Sequence, residues 1–120
     1  MTETLHLLGI SGSLRKGSYN SALLRAAAGM LPPGVSLEIA DLAPLPIFNA
    51  DHEKPFPEAV VHFRQQVGNA GALLIACPEY NSSLSGALKN ALDWASRSPA
   101  APLVGKPAGI IGASTGNFGT

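Results

Sequence analysis

The sequence predicts an α/β domain: a doubly wound parallel sheet with helices on both faces, in three layers. Two observations predict it. Short apolar runs of strand length alternate with longer stretches whose apolar residues recur every three or four positions. That alternation specifies β-α-β units, a parallel sheet and right-handed crossovers. The second observation is one of size. With 120 residues, 46% of them apolar and 13% charged, the chain is long enough for one domain with its own core and too apolar to be disordered.

The first run, Leu5 to Ile10, reads as a strand buried on both faces. A helix follows, capped at Ser18 or a neighbour and running to about Leu31, where Pro32-Pro33-Gly34 ends it. Val35, Leu37 and Ile39 alternate, giving a second strand over Val35 to Ala40. The stretch from Asp41 to Phe56 holds Pro44, Pro46 and Pro55 with no period and reads as a long surface loop. Pro57 suits the first turn of a second helix with Val60, Phe63 and Val67 along one face. Ala72 to Cys77, ended by Pro78, is the least ambiguous strand.

A third helix starts at Leu84 and sets Leu84, Leu88, Ala91, Leu92 and Ala95 on its inner face. Lys89 and Asp93 stand four apart opposite them as a solvated pair, and Arg97 falls in the last turn. Lys106 to Ala113 reads as the last strand, passing into Ser114-Thr115-Gly116-Asn117-Phe118-Gly119.

The chemistry gathers in the stretch Gly9-Ile10-Ser11-Gly12-Ser13-Leu14-Arg15-Lys16-Gly17-Ser18-Tyr19-Asn20-Ser21. A strand, a small-residue turn and a helix in that order bring backbone N–H groups and the positive helix end to one spot, which suits an anion. Ser11, Ser13, Ser18 and Ser21 add hydroxyl donors, and Arg15 adds a planar fork matched to phosphate oxygens. It is not a P-loop. Gly12 to Gly17 has the spacing, but Ser18 and Tyr19 stand where Lys and Ser/Thr are needed. Nor is the dinucleotide fingerprint G-x-G-x-x-G met from Gly9 or Gly12. The loop suits a single terminal phosphate such as that of a mononucleotide. The same serines would equally serve an ordinary strand–helix connection as caps.

Equal numbers of basic and acidic residues, eight of each, give nothing that draws the molecule to nucleic acid or an anionic membrane. One cysteine, Cys77, allows no internal disulfide and is compatible with a reducing cytosol. No apolar run approaches a membrane span and the first residues do not resemble a signal peptide, so the expected location is cytoplasmic. His6, His52 and His62 do not cluster with Asp, Glu or Cys at ligand spacing, and no metal site is expected.

Three loops, each after a strand, can then be compared together: Ser11–Asn20, Pro78–Ser83 and Ser114–Gly119. With Gly12-Ser13-Leu14-Arg15-x-x-Ser18-x-Asn20, Pro78-Glu79-Tyr80-Asn81, Leu88-Lys89-Asn90-Ala91-Leu92-Asp93-Trp94 and Gly112-Ala113-Ser114-x-Gly116, the chain closely resembles the NADPH-dependent FMN reductase family of flavodoxin-like proteins. That family includes flavin, quinone, azo-dye and chromate reductases. The resemblance covers the whole chain as a single FMN-binding domain, 1–120, and implies the strand order 2-1-3-4.

It further implies that Ser11, Ser13 and Arg15 hold the FMN phosphate, with Ser18 and Asn20 closing the cradle. Pro78, Glu79, Tyr80 and Asn81 would run along the ribityl chain and isoalloxazine ring, and Ser114 and Gly116 would approach from the other side. Each has a plainer reading: the Pro78 turn as a helix cap, Tyr80 and Trp94 as packing or an interface, Glu79 as a partner for Arg97 or another basic group across a subunit boundary. The implied activity is NAD(P)H oxidation through bound FMN, with NADPH or NADH as co-substrate. The acceptor would be a small molecule: a flavin, quinone, azo compound or chromate-type oxyanion.

No residue of the chain is expected to be catalytic in its own right, since the flavin carries the chemistry. A homodimer or homotetramer is expected. A flavodoxin-type electron carrier is the alternative, although zero net charge and Arg15 count against it. Members of the family normally continue with a helix, a fifth strand and a final helix where this chain reaches Thr120. The expectation is a C-terminally incomplete domain, part of a longer product, with the fourth strand left as an edge.

Overall fold

A computed structural model describes residues 4–12, 19–53, 55–76, 86–97 and 101–111, with Tyr19, Asn20 and His52 described by backbone alone. Four strands and three helices alternate: β1 (Leu5–Ser11), α1 (Tyr19–Ala28), β2 (Val35–Ala40), α2 (Glu58–Asn69), β3 (Ala72–Ala76), α3 (Gly86–Ala95) and β4 (Ala108–Ile111). The sheet is parallel throughout its described pairings, in the order β2-β1-β3-β4. The expected order 2-1-3-4 is therefore what the chain adopts.

Alternate residues of β1 face opposite sides of the sheet, and this sorts the helices into layers. Leu8 and Ile10 are fully buried with Phe63 and Val67 of α2 and Leu88, Ala91 and Ala95 of α3. Gly9, on the other face, lies under Leu24 of α1; a Cβ there would meet Leu24 Cδ2 and Leu37 Cδ1 at 3.3 Å each. The glycine lets α1 sit that close to β1, a tighter approach than most side chains tolerate. The stripe foreseen on α2 (Val60, Phe63, Val67) is buried as expected.

Several bounds differ from the sequence reading. The first helix stops at Ala28 rather than Leu31, because Gly29 and Met30 turn back onto the carbonyls of Ala26 and Ala27. Pro57 is the N-cap of α2 rather than a residue of its first turn. The last strand is Ala108–Ile111, shorter than Lys106–Ala113. Lys106 instead spends its ammonium on the end of α2, donating to the carbonyl of Ala70 at 2.6 Å. Arg97 lies beyond α3 instead of in its last turn. The strand at β1 is buried on both faces only in its second half; its first residues are partly exposed. β4 has Ile110 68% exposed, as expected of an edge.

Residues 41–53 form the long surface loop expected, mostly exposed, and it is laid along α3 as a strap. Leu42 is buried in the core cluster, and Ala50–His52 forms a 3-10 turn capped by the side chain of Asn49. Trp94, fully buried on α3, donates its indole N–H to the carbonyl of Pro46 at 2.9 Å and meets the rings of Phe48 and Phe56 edge-on. Asn90, one turn earlier, donates to the same carbonyl at 2.8 Å and accepts from the Phe48 N–H at 2.6 Å. Arg97 pairs with Glu53 of the strap at 2.8 Å; the Glu79 pairing considered from sequence lies outside the described residues. No described helix is long and apolar enough to cross a membrane.

Candidate functional site

The site is built on a register. Ser11 of β1 stands opposite Ala76 of β3, and Ala76 stands opposite Ile111 of β4. This row lies at the carboxyl end of three neighbouring strands, the ones that precede the three stretches singled out in the sequence. With neighbouring strands about 4.8 Å apart, the three strand ends fall within roughly 10 Å. The Gly12 N–H donates to the Ala76 carbonyl at 2.8 Å, carrying the β1–β3 pairing one residue past the strand.

Strand order also reverses here. From β1 the chain goes by α1 to β2 on one side, and from β3 it goes by α3 to β4 on the other. α1 and α3 lie on opposite faces, so the carboxyl ends of β1 and β3 mark the topological switch point of the sheet. Open parallel sheets bind ligands at such a switch point.

Two hydroxyls of the proposed cradle are brought together. Ser21, in the first turn of α1, donates its hydroxyl to Ser11 Oγ at 3.0 Å, and Ser11 is 8% exposed. Ten positions apart in sequence, these serines pin the start of α1 to the end of β1. Neither α1 nor α3 has an acidic residue in its first turn, so the positive ends of both helices keep their attraction for an anion. A hydroxyl pair beside such a helix end fits a phosphate group by its donor chemistry.

Of the other residues expected at the site, Asn20 lies in the first turn of α1, described by its backbone. Ser13, Arg15, Ser18, Pro78, Glu79, Tyr80, Asn81, Ser114 and Gly116 lie outside the described residues. So does Cys77. Ser11, Ser21 and the strand ends are thus the described part of the site.

Away from this rim, His6 bridges two side chains of β2: Nδ1 lies 2.8 Å from Ser36 Oγ and Nε2 lies 3.3 Å from Glu38 Oε2. Gln66 donates to the other oxygen of Glu38 at 2.7 Å. These bonds hold the Glu38 carboxyl below its ordinary range, Gln66 contributing most and partial burial opposing. Among the described residues no three His, Cys, Asp or Glu side chains converge as metal ligands.

Sequence reasoning missed the Asn90 contacts with the strap. A signal for them existed: an amide four residues before a tryptophan, beside the apolar stripe of Leu88, Ala91 and Ala95. A polar side chain so placed must find a buried partner.

Comparison with known proteins identifies the family. The family model described as NADPH-dependent FMN reductase matches residues 5–120. An NAD(P)H-dependent FMN reductase of Pseudomonas aeruginosa is 57% identical over 121 residues, covering 100% of this chain and 65% of that protein. A 2-hydroxy-1,4-benzoquinone reductase of a Burkholderia species is 46% identical over 97% of this chain and 64% of its own length. Among solved structures, a flavoenzyme NAD(P)H:(acceptor) oxidoreductase from Paracoccus denitrificans superposes with a TM-score of 0.87 at 33% identity, over 95% of this chain and 63% of that one. The chain therefore spans somewhat under two thirds of the length of these relatives.

Proposed function

We propose that this chain, which belongs to the NADPH-dependent FMN reductase family, binds FMN across its rim and oxidises NAD(P)H to reduce a small-molecule acceptor of the quinone or flavin type. The observation that carries the reading is the row Ser11–Ala76–Ile111 at the point where strand order reverses. The chemistry that FMN supplies when bound is acceptance of a hydride from a nicotinamide and delivery of two electrons to the acceptor.

The work of the chain is to bind, orient and tune. In this reading Ser11, Ser13 and Arg15 hold the phosphate, and Ser18 and Asn20 close around it. Ser21 fixes Ser11 through their 3.0 Å hydroxyl contact. Pro78, Glu79, Tyr80 and Asn81 lie along the ribityl chain and ring, where backbone N–H groups would favour charge on the reduced ring. Ser114 and Gly116 close the other side. No side chain needs to act as acid or base in hydride transfer; stacking and exclusion of water suffice.

The names of the Pseudomonas and Burkholderia relatives support FMN, a nicotinamide and a quinone-type acceptor. A homodimer or homotetramer in the cytoplasm completes the proposal. The deciding experiment is the absorbance spectrum of the purified protein, followed by oxidation of NADPH and NADH with a panel of quinones, flavins and ferricyanide. Yellow protein that turns over a nicotinamide without an added reductase supports the proposal. Yellow protein that does not turn it over is an electron carrier, and colourless protein that fails to retain FMN overturns the site as well. Light scattering of the purified protein reads the oligomeric state.

A further inference from the structure

Ile47 is the most exposed large apolar side chain among the described residues, at 86%, yet it is not loose. The peptides on either side of it are fixed: Asn90 holds the Pro46 carbonyl and the Phe48 N–H, and Trp94 holds the same carbonyl. The strap therefore presents an aliphatic knob to water in a set position. Beside the knob, between the strap and the outer side of α3, runs a groove of about 530 Å³ walled by Leu42, Leu45, Phe48 and Ala87. Knob and groove share one surface. A protruding apolar side chain next to an apolar hollow is the arrangement of an isologous contact, in which a two-fold axis sends each knob into the other copy's hollow. Because the clamp already orders Ile47, little freedom is lost when it is buried.

The charges at the edge of the groove point to the same occupant. Lys89 and Asp93 lie one turn apart on the outer side of α3, with their charged groups 3.1 Å from each other. A helix face bearing one basic and one acidic residue a turn apart is its own complement when a second copy is laid antiparallel to it. Each lysine then meets the other copy's aspartate, and the four charges alternate in sign. Two residues of like charge at these positions would repel themselves across the axis.

We propose that this face is the two-fold interface between two copies of the chain. Ile47 of each protomer enters the groove between the strap and α3 of the other, and the two α3 helices cross antiparallel with Lys89 and Asp93 paired across the axis. The proposal rests on the homo-oligomer put forward above and gives it a surface; the flavin chemistry has no part in it.

The test reads mass, by sedimentation or light scattering of the full chain in a dilution series. The parent should be a dimer, or a tetramer containing this dimer. Ile47→Asp should halve that mass and raise the dissociation constant about 100-fold, as for loss of an anchor seated in a pocket. Its circular dichroism should match the parent, since the side chain packs little within its own protomer. Asp93→Lys leaves two positive residues on the face and Lys89→Asp leaves two negative ones. Each variant alone should show half the parent mass, and mixing the two in equal amounts should restore the parent mass. The double variant, which exchanges the two charges, should assemble by itself. A pair that acts only within its own helix would leave mass unchanged throughout, and that result overturns the interface. So does a mixture that fails to reassemble, or an oligomer untouched by Ile47→Asp. A monomeric parent overturns the interface and the oligomer together. Nicotinamide turnover is measured separately, so failure of the reductase reading shows in that assay and not in the masses.

Discussion

Trp94 donates its indole N–H to the carbonyl of Pro46 at 2.9 Å, across 48 positions of sequence. That bond, with the Asn90 bond to the same carbonyl, ties the surface loop 41–53 to α3.

Two donors on one acceptor predict a coupled pair. Trp94→Phe should cost about 2 kcal/mol, from a lost hydrogen bond and a partly filled cavity. Asn90→Ala should cost about 1–2 kcal/mol. Either variant leaves the Pro46 carbonyl one donor, whereas the double variant leaves it neither. The double variant should therefore be destabilised by roughly 0.5–1 kcal/mol more than the sum, as measured by denaturant unfolding. Simple additivity would mean that the two bonds do not share the load.

Arg64 closes the end of α3. One guanidinium nitrogen, Nη1, donates to the carbonyls of Trp94 and Arg97, both at 2.8 Å, while the group lies 4.4 Å from the centre of the Phe56 ring. Burial lowers the pKa of this guanidinium, with Glu53 opposing, but an arginine stays charged at any working pH. Arg64→Met keeps the stem and strands two carbonyls at the negative end of the helix. A loss of about 2 kcal/mol is expected, read from the denaturant midpoint.

Glu38 predicts a small acid-side dependence. Its folded pKa lies below the ordinary 4.5, chiefly through the Gln66 bond. A carboxylate depressed in the folded state adds stability above its unfolded pKa, and that stability is lost as pH falls through the folded value. The melting temperature should therefore drop more steeply between about pH 5 and pH 3 in the parent protein than in Glu38→Gln. Solvent screening keeps the effect modest, since the side chain is 46% exposed. Parallel melting curves would contradict the assignment.

At the cradle, Arg15→Ala should weaken FMN binding about 10- to 100-fold, the value of a charge-assisted hydrogen bond of ~1.5–3 kcal/mol. Ser21→Ala removes the donor to Ser11 Oγ and should weaken FMN several-fold with a smaller effect on the melt. Flavin fluorescence titration reads both, and unchanged affinity in Arg15→Ala would put the phosphate elsewhere. Tyr80→Phe keeps the ring and removes the hydroxyl; turnover of the holoprotein should hardly change.

Period and punctuation in the sequence were enough for the four strands and the three helices, and the family resemblance supplied the strand order. Apolar runs bounded by Pro and Gly can settle into few other arrangements, and β2 matches its expected bounds of Val35–Ala40 residue for residue. The rim was legible as well, because a parallel sheet sends every strand's carboxyl end to the same side. Residues 41–53 were legible as a surface loop, but how they are held was not. Their prolines break any local period, and what orders them is a tryptophan and an amide more than forty positions away. Bonds of that kind leave no repeat in the sequence. Local chemistry therefore determined the sheet and where its loops emerge, while only the folded chain could decide which distant side chains hold the strap, because those contacts exist only once α3 has packed.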